Sequence, residues 1–339
     1  MRIMLKVFFR IVSAGIIAMA ALCGFVYLYG YSGVHITNKT GSTDYTWEPY
    51  QRMSTMTEGF AWIRMDQNGF NNHYGDISDP IDILLMGSSH MEAVQLDETE
   101  NLGYLLNEKL PDMHTYNIGI SGHTIYNCVR NMAAASMEFS PREYVLLETS
   151  DAVLDEDTML EVIGNSYDRI PSYDSGLIYL VQKHLPFVKS FYNSIAEWAG
   201  CDPLLSDDSS QADGTENGSG PTERYLSVLG DFLKKAAADA GAKLVIFYHP
   251  SHSIDADGNL VDNTDLAYKN AFAGACEDNG IIFIDLTERF EELYEKERVM
   301  AHGFINTSPG YGHLNKYGHR AAAEVISDVL GGGVNNGAE

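Results

Sequence analysis

The chain has 339 residues and a formal net charge of −25 at pH 7, with 45% of its residues hydrophobic and 20% charged. The first thirty residues hold three cations and no acid, so residues 31–339 carry 19 cations against 47 anions, a formal −28. Such a surface repels nucleic acid and anionic lipid headgroups, which excludes a nucleic-acid-binding role, while the apolar share is enough for one sizeable core.

Arg2, Lys6 and Arg10 precede Ile11–Tyr29, a stretch with no charge. About 20 apolar residues span a bilayer core. The apolar character continues past Ala18-Met19-Ala20, the only passable cleavage triplet. An uncleaved signal anchor over residues 1–30 is therefore expected, holding the rest of the chain outside the cytoplasmic membrane because the leading cations stay inside. Cys23 lacks a lipoprotein box, since Leu22 stands where a small residue belongs, and Cys128, Cys201 and Cys276 show neither CxxC nor Cys/His spacing. They suggest neither a zinc site nor a disulfide framework.

Residues 31–79 read as an extracytoplasmic lead-in, polar and turn-rich, with an Asn68-Gly69 turn inside Asp66-Gln67-Asn68-Gly69-Phe70. Next comes Ile81-Asp82-Ile83-Leu84-Leu85-Met86-Gly87-Ser88-Ser89-His90, an apolar run bounded by Pro80 and Gly87. It reads as a buried parallel strand that delivers a serine to a tight turn at its carboxyl end, where ligands of such sheets bind. Thr99 is the expected cap of a helix containing Leu102, Leu105, Leu106 and Leu110, closed by Pro111. A short strand ending near Ile118, a helix over Thr124–Phe139 and a strand over Tyr144–Thr149 follow. Further on, strands at Leu244–Tyr248 and Ile281–Ile284 alternate with helices at Tyr225–Ala240 and Asp265–Asp278, and a closing helix covers Tyr317–Leu330. Alternation of this kind predicts an α/β fold, a three-layer α/β/α sandwich with a parallel flavodoxin-like sheet of about five strands. The expected domain runs over 80–333, interrupted by an insertion over 154–222. Tyr167, Tyr173, Tyr179 and Trp198 in that insertion suit packing against the sheet better than sugar stacking, and residues 202–221, nearly free of apolar side chains, read as a disordered surface loop.

Three short blocks carry a resemblance. Gly87-Ser88-Ser89 is similar to the first block of the SGNH (GDSL-like) hydrolase family, with Ser88 in place of the usual aspartate; Asn117-Ile118-Gly119-Ile120-Ser121-Gly122-His123-Thr124 is similar to its second, and His313-Leu314-Asn315-Lys316-Tyr317-Gly318-His319 to its last. They occur in family order. The resemblance implies Ser89 as nucleophile, His313 as general base, and an oxyanion hole from the backbone N–H groups of Ser89 and Gly122. Two departures stand out. Glu148-Thr149-Ser150-Asp151 occupies the place of the family's third block, so Ser150 or Asp151 stands where an oxyanion asparagine is expected. Gly310 stands three residues before His313, where the family has the aspartate that orients the base. Either a backbone carbonyl orients His313 or an acid arrives from elsewhere, Asp285 at a strand end being one candidate, with helix capping as its alternative role.

His249, in His249-Pro250-Ser251-His252 directly after a strand, is expected on the active face as a substrate or auxiliary group, and His90 and His123 also follow the motif blocks. Their spacing matches no zinc pattern, so no metal is expected. No Gly-x-Gly-x-x-Gly or Walker sequence follows any strand, and no cofactor is implied. The leading expectation is an extracytoplasmic, membrane-anchored serine esterase that removes O-acyl groups, O-acetyl above all, from a carbohydrate or cell-wall polymer. An O-acetyltransferase of exported polysaccharide would use the same dyad. A non-catalytic polysaccharide-assembly or binding protein with a decayed site is the third reading, favoured by the missing Asp and Asn and opposed by the joint presence of Ser89, Gly122 and His313.

Overall fold

The computed structural model describes residues 2–29, 33–56, 58–73, 80–150, 156, 159–160 and 220–335. Most of the expected insertion, including residues 202–219 of the expected loop over 202–221, lies outside the described residues. In chain order the elements are α1 (Arg2–Tyr29), β1 (His35–Thr37), β2 (Tyr45–Trp47), β3 (Arg52–Thr55), β4 (Ala61–Arg64), β5 (Ile83–Met86), α2 (Ser89–Glu92), α3 (Leu102–Lys109), β6 (Thr115–Asn117), α4 (Ile125–Phe139), β7 (Tyr144–Ser150), α5 (Glu223–Asp239), β8 (Lys243–His249), β9 (His252–Ile254), β10 (Leu260–Asp262), α6 (Leu266–Asp278), β11 (Ile282–Asp285), α7 (Thr287–Glu297) and α8 (Lys316–Asn335).

Five strands form one sheet in the order β11-β8-β7-β5-β6, every neighbouring pair parallel. Renumbered as sheet strands this is the order 2-1-3-4-5 of flavodoxin-like folds, whose ligands lie outside the carboxyl ends of the strands. The strands are continuously apolar because both faces are covered. Leu84, Met86, Val145, Leu147, Leu244, Ile246 and Tyr248 face one way, onto Val129, Met132, Leu229, Leu233 and Phe272 of α4, α5 and α6. Ile83, Leu85, Leu146, Val245 and Phe247 face the other, onto Leu102, Leu106, Phe290, Leu293, Ala322 and Ile326 of α3, α7 and α8. A sheet between two helical layers is the three-layer sandwich that the alternation predicts.

Local chemistry sets the helix starts. Asn101, not Thr99, caps α3: its side chain accepts the N–H of Tyr104 at 2.9 Å, and its own Nδ2 donates to the carbonyl of Glu98. Asp265 caps α6 by accepting from Ala267 at 2.9 Å. The segment before the sheet forms two antiparallel hairpins, β1–β2 and β3–β4. Asp66 closes the turn that follows them, accepting from Asn68 N and Phe70 N at 2.8 and 3.0 Å and from the Tyr116 hydroxyl of β6 at 2.6 Å. That turn is structural and packs beside the sheet. Over Arg2–Leu28, α1 is long and apolar enough to cross a membrane.

Candidate active site

All five strands are parallel, so the turns after β5, β6 and β7, with Ser89, Gly122 and Ser150, lie at the same carboxyl edge of the sheet. After β5 the chain turns sharply into α2. Ser88 is the cap of that helix: its Oγ accepts the N–H of His90 at 3.2 Å, and its own N–H donates to Glu148 Oε2 at 2.7 Å. This fixes Ser88 in the turn and leaves Ser89 as the first helical residue.

His313 comes from the loop before α8, and the fold brings its Nε2 to 2.8 Å from Ser89 Oγ. The other ring nitrogen, Nδ1, lies 2.6 Å from Glu58 Oε2, while Glu58 Oε1 accepts the backbone N–H of His313 at 2.7 Å. An ionised carboxylate only accepts, so Nδ1 carries the proton and Nε2 is left to accept the Ser89 hydroxyl. Burial alone would raise the Glu58 carboxyl, but the hydrogen bonds and charge of His313 outweigh it and hold Glu58 below the usual glutamate value.

The carboxylate that faces His313 is Glu58, from the connection between β3 and β4, and not Asp285. Asp285 pairs with Lys269 at 2.9 Å and accepts the N–H of Thr287 at 2.9 Å, where α7 begins. Gly310 cannot be replaced by the family's aspartate: its φ is +78°, and a Cβ there would stand 2.6 Å from the carbonyl oxygen of His252. Gly312, at φ +90°, makes the room that Glu58 uses, since a Cβ there would lie 2.3 Å from Glu58 Oε1. Asn306 clamps the Glu58 loop, accepting from Gly59 N at 2.9 Å and donating to the Met56 carbonyl at 2.9 Å. The only hint of this in the sequence is negative, the glycine at 310; nothing local marks Glu58. Residues 31–79 thus do more than lead into the sheet, for they carry this carboxylate.

A second carboxylate–histidine pair supports the Ser88-Ser89 turn. His249, at the end of β8, is buried, and its Nε2 meets Glu148 Oε1 at 2.7 Å, while Glu148 Oε2 holds the Ser88 N–H. Burial would raise Glu148, but His249 and the Ser88 turn hold it below the usual value. Expected on the substrate face, His249 instead supports the turn from below through Glu148. His90 Nδ1 accepts the N–H of Leu314 at 3.0 Å, tying the loop of His313 to α2. His319 Nδ1 accepts the N–H of Leu102 at 3.1 Å, linking α8 to α3. His302, which no local sequence pattern marks, packs its ring 5.6 Å from His90 and 5.4 Å from His249.

Ligand atoms of His90, Glu148 and His249 lie within 4.8 Å of one another, as do those of His252, Asp262 and Glu291. In the first group the hydrogen bonds already assign the donors. His90 Nδ1 accepts an N–H, which leaves the proton on Nε2, and a protonated nitrogen cannot ligate. The arrangement fits a hydrogen-bonded support better than a metal centre.

Burial first, and then the neighbouring histidines, depresses His90 and His302 well below the ordinary histidine value; burial takes His319 to about 3 and His123 to about 4. In the unfolded chain these rings protonate near ~6.5. Below that pH the unfolded state binds protons the folded state refuses, so stability falls as pH falls, by up to about 1.4 kcal/mol per pH unit for each such ring. The urea midpoint should fall from pH 7 to pH 5, above the range where Glu58 and Glu148 titrate, and His319→Gln should flatten the slope. A midpoint constant over that range would contradict neutral buried rings.

Gly122 follows β6 at φ +77°, and nothing lies within 4 Å of where a Cβ would stand. Its turn is fixed to α2 by that helix's buried Glu92, which accepts from Ser121 N at 3.2 Å, from the Ser121 hydroxyl and from Trp47 Nε1. Ser150 ends β7, half-buried, opposite His249 in the parallel register. Asp151 lies outside the described residues.

No protein-family model matches the chain, and no curated protein matches it in sequence. Among solved structures it is similar to a psychrotrophic esterase, EstA, from Pseudoalteromonas sp., with 15% identity over 76% of this chain and 100% of that one and a TM-score of 0.40. It is similar to an acetyl xylan esterase, AlAXEase, with 15% identity over 74% and 100% of the two chains and a TM-score of 0.40. A third is the periplasmic domain of a lipopolysaccharide acetyltransferase from Salmonella ser. Paratyphi A, with 11% identity over 75% and 85% and a TM-score of 0.37.

Proposed function

We propose that the chain is a serine-dependent acyl hydrolase or acyl transferase of SGNH type, with Ser89 as nucleophile, His313 as general base and Glu58 as the orienting acid. The observation that carries this is the continuous line from Ser89 Oγ to His313 Nε2 at 2.8 Å and from His313 Nδ1 to Glu58 at 2.6 Å, assembled from residues more than 200 positions apart. Side-chain packing needs no such alignment. Nucleophilic catalysis does, because a serine hydroxyl is weak until a base takes its proton and the base must present the right tautomer.

Ser89 Oγ attacks the ester carbonyl as His313 Nε2 takes its proton, and Glu58 stabilises the imidazolium. Backbone N–H groups of Ser89 and Gly122 would bind the oxyanion, with Ser150 as the candidate third donor. His313 then returns the proton to the departing alcohol, which leaves an acyl-Ser89. Water accepting the acyl group makes the protein an esterase; a sugar hydroxyl makes it an O-acyltransferase. The substrate in this reading is an O-acylated, chiefly O-acetylated, carbohydrate or cell-wall polymer, as the family resemblance implies. In this reading α1 anchors the domain, and the cations ahead of it favour the outer side of the cytoplasmic membrane for the reaction. Glu58 weakens the non-catalytic reading, which the missing Asp and Asn favoured, by offering an acid in place of the first.

Incubation with a serine-directed alkyl phosphonate ester, followed by intact mass, tests the proposal. One phosphonyl group should appear on the protein, map to Ser89, and be absent from Ser89→Ala. A protein that stays unmodified, or an adduct elsewhere, overturns it.

A further inference from the structure

We propose that the outward face of the β3–β4 hairpin seats the protein on the bilayer, with phospholipid headgroups as its ligand. Strand register divides the hairpin into two faces. Met53, Ala61 and Ile63 are buried with Trp47 and Met65. The opposite face carries two cross-strand pairs, Ser54 with Trp62 and Arg52 with Arg64.

The last turn of α1 rests on that second face. Ser54 Oγ donates to the carbonyl of Tyr27 and Trp62 Nε1 to that of Leu28, each at 3.1 Å. A helix leaves its last four carbonyls without intrahelical donors, and these need partners where a spanning helix leaves the hydrocarbon core. Two side chains of the hairpin supply donors to two of these carbonyls. The hairpin therefore stands at the level where a membrane-crossing α1 meets the headgroups.

The chemistry of the face suits that layer. The Trp62 ring is 60% exposed although its N–H is bonded, and Tyr50 beside Arg64 is 42% exposed. Rings with one polar and one apolar end concentrate at membrane interfaces. Arg52 directly opposite Arg64 is unfavourable in an isolated hairpin, as like charges across a strand pair repel. They line a cleft of about 350 Å³ with Tyr27, Leu28, Trp62 and Glu98. Arg64 Nε donates to the Tyr50 carbonyl at 3.2 Å, Glu98 lines the same cleft, and lipid phosphates would be further acceptors for the two guanidinium groups. The seat is local: it sets two arginines toward the membrane in a domain whose net charge otherwise repels anionic headgroups.

One consequence rests on the proposed function. Glu58 is four residues from both Ser54 and Trp62, so at roughly 3.5 Å per residue no more than ~14 Å of chain separates the seat from the acid. The Ser89–His313 pair would then work close to the headgroups, on acyl groups carried by a membrane-tethered polymer.

Tryptophan quenching tests the seat without reference to catalysis, so its failure is distinct from failure of the dyad. Full-length protein is reconstituted into phosphatidylcholine–phosphatidylglycerol vesicles (7:3, a ratio of roughly two to one) with or without bromine on the acyl-chain carbons nearest the headgroup. With every protein carrying Trp198→Phe, brominated lipid should quench the wild-type emission, and Trp62→Phe should remove at least half of that quenching, because the one other tryptophan left, Trp47, is buried in the domain. Arg52→Gln/Arg64→Gln, which keeps Trp62, should weaken quenching about twofold while the thermal midpoint is unchanged. Quenching that is equal in wild type and Trp62→Phe overturns the proposal, as does quenching of Trp62 that ignores the loss of both arginines.

Discussion

Ser89→Ala is expected to lower turnover of an aryl acetate by about 10⁴-fold or more, some 5.5 kcal/mol of barrier, and His313→Ala to do the same. The reason is the single hydrogen-bonded unit formed at 2.8 Å between the two side chains: without the hydroxyl there is no acyl-enzyme, and without the imidazole the hydroxyl keeps its proton. Members of such a unit are non-additive, so the double variant should be scarcely slower than either single one. Ser88→Ala is the matched control. Its Oγ caps α2 and bonds Glu148, so the variant should lose about 1 kcal/mol of stability or somewhat more and keep a measurable rate. Steady-state kinetics on purified variants decide the matter, and a Ser89→Ala protein retaining a tenth of the wild-type rate would sink the assignment.

Glu58→Gln should cost between about 10² and 10⁴ in kcat with little change in KM, as loss of the orienting carboxylate does in serine triads. The carboxylate serves two donors of His313, the backbone N–H at 2.7 Å and Nδ1 at 2.6 Å. A glutamine has one carbonyl oxygen for both, and its amide facing Nδ1 would force the ring proton onto Nε2, toward Ser89. Glu58→Asp keeps the charge but is one methylene short, and should recover part of the rate. Asp285→Asn, which touches Lys269 and the start of α7, should leave kcat within about twofold, since surface-type changes away from the site act weakly. Equal losses in Glu58→Gln and Asp285→Asn would mean that the carboxylate acts only through folding. A second glycine-based check follows from the same geometry: Gly312→Ala should mimic Glu58→Gln, because a Cβ there displaces Oε1.

Much of the fold was legible because parallel strands covered on both faces must be apolar at every position, and Leu84-Leu85-Met86, Val145-Leu146-Leu147 and Val245-Ile246-Phe247 announce themselves in that way. The residues that cluster at the sheet edge were legible for a related reason. A nucleophile turn directly follows its strand, and the histidine block directly precedes its helix, so Ser89 and His313 sit in local patterns. Helix caps were less so: Thr99 and Asn101 are both good caps, and only packing chose the later one.

What the sequence alone determined, then, is a parallel sheet with a serine and a histidine delivered to its carboxyl edge, together with an apolar N-terminal helix. Which carboxylate faces the histidine was decided by tertiary structure. Glu58 and His313 are 255 residues apart and share no periodicity, and the pairing exists because a hairpin outside the sheet folds back over it and because two left-handed glycines bar a side chain at 310 and clear one at 312. The same holds for His249: its place at a strand end could be read, but whether it met substrate or a buried glutamate depended on β7 lying beside β8 and putting Glu148 against it. Local pattern fixes what neighbours along the chain must be. A hydrogen bond between distant side chains leaves no trace in either neighbourhood, and only the folded packing selects it.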